Sequence, residues 1–183
     1  MSKTIDAVDI AVLPTGLLTD AKAHMRIDFT DDDLYVKQVV GRAIDYFQRV
    51  TEVAVNPTTI SWFPVSRDFH CGEAVVPVTP VTSMAVKDAD GNDISAAFTL
   101  TTNTLFGAPS YKVAGAWQAG IKFTFESGYA DATKVPPGIV DCVFTFATHL
   151  YEHREIYVHA GPGGESIPAW IMDNFSTWWV PRV

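Results

Sequence analysis

Runs of basic residues are missing from this sequence. Its 13 lysines and arginines are scattered among 21 aspartates and glutamates, for a net charge of −8. Gripping DNA through its phosphates needs clustered cations, so the chain is a poor nucleic-acid holder. An acidic surface past which DNA slides without sticking is compatible with this balance. Cysteine is scarce: Cys71 and Cys142 make no disulfide framework and read as buried thiols of a reducing compartment. No apolar run approaches the roughly 18 residues that span a bilayer. A basic stretch followed by an apolar one, the mark of a signal peptide, is not seen at the N-terminus. The expectation is a soluble chain made in the cytoplasm, without a membrane partner. What is present is ordinary globular composition, 48% hydrophobic and 19% charged over 183 residues. That length fits one domain, 1–183, with room for a sizeable insertion, and buries roughly 70% of the unfolded surface.

Signatures of group transfer are also lacking. The glycine stretch Ala160-Gly161-Pro162-Gly163-Gly164 has no lysine and follows a helix, so it reads as a hinge rather than a phosphate loop. No G-x-S-x-G elbow occurs, and Cys142 lies mid-helix without an activating partner. His149, Glu152 and His153 do spell H-x-x-E-H, a zinc-peptidase motif. Two histidines four apart on a helix face one way and can hold zinc, but a working site needs a third ligand, an open water position and a base. Only Glu165 and Asp173 follow, one in the glycine stretch and one in an apolar tail. The plainer reading puts His149 beside a polar stripe and His153 against a packing neighbour. A zinc-dependent hydrolase is the minor alternative; no catalytic residue, metal ligand or cofactor is expected.

The hydrophobic pattern divides the chain. Residues 1–16 read as an arm or loop. Thr19 suits the N-cap of a short helix over 20–27 with Ala21, Met25 and Ile27 inward. Thr30 and Asp33 are spaced as a capping box, and Val36, Val39, Val40, Ala43, Phe47 and Val50 recur at helical spacing up to Glu52. From 57 to 128 the period changes: Val75, Val76 and Val78 lie among prolines, Val81 to Val86 is β-prone, Asp90-Gly91-Asn92 is a turn, and Ile121, Phe123 and Phe125 alternate with polar residues. This middle third reads as a small sheet between helices. Pro136-Pro137 opens a third long helix. Its polar stripe is Asp141, Thr145, Thr148, Glu152 and Glu155; its apolar arc spans Ile139, Val143, Phe146 and Leu150, broadened by Val140, Phe144, Ala147 and Tyr151. So wide an arc points to burial against several partners, other subunits among them. Arg154 falls on the apolar arc and needs a carboxylate or carbonyl partner, or emerges into water past the helix end.

Ile171, Phe175 and Trp178 predict a last short helix. Residues 165–183, rich in tryptophan and poor in charge, suit a segment that docks on a partner. The reading is α+β: a helical bundle of about four helices (core 17–55 and 136–179) with a β-rich insertion (57–128) between the second and third long helices.

Three blocks then carry a resemblance. They are Leu18-Thr19-Asp20-Ala21-Lys22-Ala23-His24-Met25-Arg26-Ile27-Asp28 with Asp31-Asp32-Asp33; Pro77-Val78-Thr79-Pro80-Val81-Thr82-Ser83-Met84 with Lys87-Asp88 and Asp90-Gly91; and Phe123 to Tyr129, Val135-Pro136-Pro137 and Tyr151-Glu152-His153-Arg154-Glu155. In this order the chain resembles the head–tail connector (adaptor, or head-completion) proteins of tailed double-stranded DNA phages and related particles. The tail departs from the family's leucine-rich ending, with Trp178-Trp179-Val180-Pro181-Arg182 keeping only the arginine. The resemblance implies a non-catalytic virion protein of the neck. It forms a ring of typically twelve copies beneath the portal, extends a DNA channel without binding DNA specifically, and offers a platform to a stopper or tail-completion protein. A stopper or tail-completion ring of the same particle is the runner-up. Trp178, Trp179, Pro181 and Arg182 are expected to contact the portal, and Tyr151, Arg154 and Phe144 to pack between subunits.

Overall fold

The computed structural model describes residues 2–5, 13–76, 80–105, 108–153 and 168–178. Chain contacts gather these into two compact units. One, from 13–56 and 129–178, holds every α-helix described; the other, from 2–5 and 57–128, holds every strand.

In the helical unit, α1 (Leu17–Met25) starts two residues before the expected cap. Gly16, at φ 88, makes the entry turn, and the Pro14 carbonyl accepts the Leu17 N–H at 3.0 Å. Thr19 is therefore inside the first turn. The helix closes at Arg26 in the left-handed region, where the Ile27 N–H reaches back to the Lys22 carbonyl at 2.9 Å. The second helix, α2 (Asp33–Thr51), buries Val36, Val39, Val40, Ala43 and Phe47 of the face expected from spacing, leaves Val50 half-buried, and adds the buried Ile44 to that face. The Thr30–Asp33 capping box does not form: Asp32 is the N-cap, without a side-chain cap bond. Long-range partners have taken the carboxylates, Lys22 that of Asp33 and Tyr151 that of Asp32. At the other end Glu52 turns left-handed (φ 62), and the buried Gln48 accepts the N–H groups of Val55 and Asn56, both at 2.8 Å. Those bonds steer the chain out of the helix while satisfying a buried amide.

Helix α3 (Pro137–Glu152) buries Ile139, Val143, Phe144, Phe146 and Ala147 and leaves Asp141 and Glu152 exposed, so its wheel was legible. The last helix, α4 (Ala169–Ser176), anchors through Ile171 and Phe175. The Phe175 ring stands edge-on to Phe47 at 5.1 Å and to Phe146 at 5.8 Å, a favoured aromatic geometry.

The strand unit corrects two expectations. Residues 1–16 are not all arm, because β1 (Ser2–Ile5) is a strand. And the middle third is two antiparallel sheets rather than one. The first, in order β1-β2-β7-β4, uses β2 (Thr58–Phe63), β7 (Lys122–Ser127) and β4 (Val81–Lys87). The second, in order β3-β6-β5, uses β3 (Glu73–Val75), β6 (Ala108–Ala114) and β5 (Thr99–Leu105). Alternation sets the faces. Ile60, Trp62, Phe123, Phe125 and Val86 point into the core, joined by Phe98 edge-on to Phe123 at 5.2 Å. Gly115 lies against the Phe98 ring so closely that a Cβ there would collide with it. The described residues are thus α+β, four helices and two small antiparallel sheets. None of these helices is long and apolar enough to cross a membrane.

Candidate functional site

Two surfaces stand out, one on each unit. In the helical unit, the turn between α1 and α2 is held from two sides. The Lys22 ammonium donates to the Phe29 carbonyl at 2.7 Å and pairs with Asp33. On the α3 side, Tyr151 packs its ring on Tyr35 at 5.6 Å and donates its hydroxyl to Asp32 Oδ2 at 2.6 Å. This double tether leaves Phe29 47% and Leu34 70% exposed, beside the exposed Asp28 and Asp31. Large apolar groups ordered at a surface mark interaction sites more often than isolated exposure does.

On the strand unit, Phe63 closes the outer face of β2 at 40% exposure, with Val65 also exposed just beyond. The Lys122 ammonium lies 5.8 Å from the Phe63 ring centroid, a cation–π distance. Lys87 is directly opposite Lys122 in the β4–β7 register.

The residues picked out from sequence fare differently. Tyr151 is half-buried in the tether just described. Phe144 is buried within its own unit, its ring 5.6 Å from that of His24. Trp178 lies on α3: a Cβ at Gly138 would come within 2.7 Å of its Cζ2. Beside it is the buried Cys142 thiol, whose pKa burial pushes up against the lowering effect of a Trp178 hydrogen bond. Such a thiol is a poor nucleophile. Arg154, Trp179, Pro181 and Arg182 lie outside the described residues, as do Glu155 and the glycine stretch. His149 and His153 are close, ring centroids 4.5 Å apart, and His153 Nδ1 is 3.1 Å from the His149 carbonyl. Among the described residues no three His, Cys, Asp or Glu side chains gather as metal ligands would.

Phe29, Leu34 and Phe63 are not among the residues expected at a functional surface. Leu34 had a signal: two residues before Val36, it falls on the opposite side of α2 from the apolar stripe. Phe63 had one too, as an apolar residue on the polar alternation of β2. Phe29 had none.

Residues 16–77 match the sequence profile of the phage gp6-like head-tail connector protein family. The resemblance read from the residue blocks therefore holds over that segment. No curated protein matches the chain. Among solved structures, a chain in the virion of a native gene transfer agent particle aligns with a TM-score of 0.71 at 20% identity, covering 100% of this chain and 97% of that one. Chains in the neck of the empty particle (TM-score 0.71) and of the native particle computed with C12 symmetry (0.70) align at the same identity and coverage. At this identity the likeness is one of fold.

Proposed function

We propose that this chain is a structural head–tail adaptor of a phage-like particle, located in the virion neck and acting without catalysis. The observation that carries the reading is the extent of the likeness: the fold follows a gene transfer agent chain over 100% of its own length, and an independent connector profile covers 16–77. In this reading the helical unit is the bundle and residues 57–128 are its β-rich insertion, together one adaptor domain. Copies assemble as a ring of about twelve beneath the portal, and the acidic balance lets DNA pass through the lumen without being gripped. A stopper or tail-completion protein occupies the far side. Tyr151 and Arg154 pack toward a neighbour, with Phe144 supporting that face from beneath.

The tail makes the portal contact, with Trp178 fixing its starting point and Trp179, Pro181 and Arg182 reaching the partner. Imaging the chain with its cognate portal tests the whole reading; a chain that neither rings nor binds portal under any assembly condition refutes it. Deleting residues 179–183 leaves Trp178 on its seat and is expected to abolish portal binding in pull-down. Binding equal to that of the full chain sinks the tail contact.

A further inference from the structure

Among the described residues, six large apolar side chains stand exposed, and four of them form the Phe29–Leu34 and Phe63–Val65 pairs. The rims of these pairs differ in sign. Asp28 and Asp31 flank the first and have no ion pair among the described residues. Lys122 flanks the second, likewise without an ion pair among them, and faces Lys87 across the register. Lys87 also has Asp93 opposite it, whose carboxylate its charge helps to keep ionised, so Lys122 is the cation of this corner that an acidic neighbour engages.

We infer that the Phe29–Leu34 surface of one copy docks on the Phe63–Val65 corner of the next copy, a head-to-tail contact between copies of this chain. The inference rests on the ring reading above and names the surfaces the ring uses. Pairing either surface with its own duplicate sets aspartates against aspartates or Lys122 against Lys122, which disfavours a two-fold dimer. A contact between two different patches repeats from copy to copy and closes into a ring when the rotation allows. The acidic surface is also pre-organised. With its backbone tethered by Lys22 and its flank by Tyr151, little ordering remains to oppose docking.

The experiment uses full-length chain in a Cys71→Ser background, which leaves only the buried Cys142. Thr30→Cys marks the acidic surface and Ser66→Cys the basic corner; both positions are exposed. The two variants are mixed with and without portal and treated with a short bismaleimide. Cross-linking in the mixture is expected to exceed that of either variant alone by about tenfold, the yield of ~1.4 kcal/mol of preference. Lys122→Glu on the Ser66→Cys chain should remove that excess, and Asp31→Lys on the Thr30→Cys chain should restore it, which a misfolded variant cannot do. Rings seen by electron microscopy without excess cross-linking overturn this pairing and leave the adaptor reading standing. No ring, no portal binding and no cross-link overturn both.

Discussion

Replacing Gly138 with alanine should lift Trp178 off its seat. The added Cβ would lie 2.7 Å from Trp178 Cζ2 and 3.6 Å from Cε2 and Cη2, so the indole must move. A tryptophan buries roughly 150–250 Å². Trp178 is half-buried, and half that area at ~25 cal/mol per Å² is worth about 2–3 kcal/mol. Glycine to alanine within a helix returns at most about 1 kcal/mol, so the net loss of global stability should be about 1–2 kcal/mol. Locally the effect is larger, because the alanine's helical gain does not hold the indole down. An opening easier by ~2 kcal/mol exposes Cys142 about 30 times more often. Thiol-reagent kinetics measure this within one molecule, since Cys71 is exposed and serves as the reference for the buried Cys142. The expected result is a Cys142 rate that rises by tens of fold against an unchanged Cys71 rate, with tryptophan emission shifted to the red. A Cys142-to-Cys71 ratio equal to wild type would show that Trp178 does not cover the thiol.

Other outcomes follow from the same geometry. Tyr151→Phe removes the 2.6 Å bond to Asp32; bonds to charged groups are worth about 1.5–3 kcal/mol, reduced to ~1 here by partial exposure, and urea unfolding reads the loss. Gly120 and Gly91 both sit at positive φ, 81° and 87°, but a Cβ at Gly120 meets Ala89 Cβ at 2.7 Å and Cα at 3.3 Å, whereas at Gly91 nothing lies within 4 Å. Alanine should cost about 1–2 kcal/mol at Gly91 from backbone handedness and clearly more at Gly120; equal thermal shifts would contradict this. Asp88, Asp93 and Asp131 are held below the ordinary carboxylate range by hydrogen bonds from the Asn92 side chain, the Ser95 hydroxyl and the Thr133 N–H, respectively. Carboxyls lowered in the folded state stabilise it above their unfolded pKa and cease to do so as pH falls through the folded value. The urea midpoint should therefore decline below about pH 4, and Asp88→Asn with Asp93→Asn should flatten part of that decline.

Where burial and periodicity coincide, the sequence was transparent. The inner face of α2 and the alternation of Phe123 and Phe125 in β7 follow from residue spacing alone, because one side of each element is dry. Local capping was less legible. Thr30 and Asp33 have capping-box spacing, yet a lysine eleven residues back claims the Asp33 carboxylate, and no local rule anticipates such a partner. Strand β1 was hidden for a related reason. Ser2-Lys3-Thr4-Ile5 is too short to show a period, and its register is set by β2, far along the chain. The exposed pairs at Phe29–Leu34 and Phe63–Val65 were legible only as misfits to a pattern, and misfits acquire meaning once the pattern is placed in space. The tryptophan tail suggested docking on a partner; through Trp178, its described part also packs on its own α3.

Strand β1 pairs with the outer edge of β2, from Ser2↔Phe63 to Ile5↔Ile60. During synthesis residues 2–5 emerge ahead of β2 and wait some 55 residues for that partner, while α1 and α2 can already coil from local contacts. Until the return, and in any fragment cut from 57 onward, the Thr58–Phe63 edge is bare, β-prone and apolar. Such an edge is a template for pairing with other chains. The first strand is thus a guard against aggregation, and its loss should show as insolubility before it shows as a lower melting temperature.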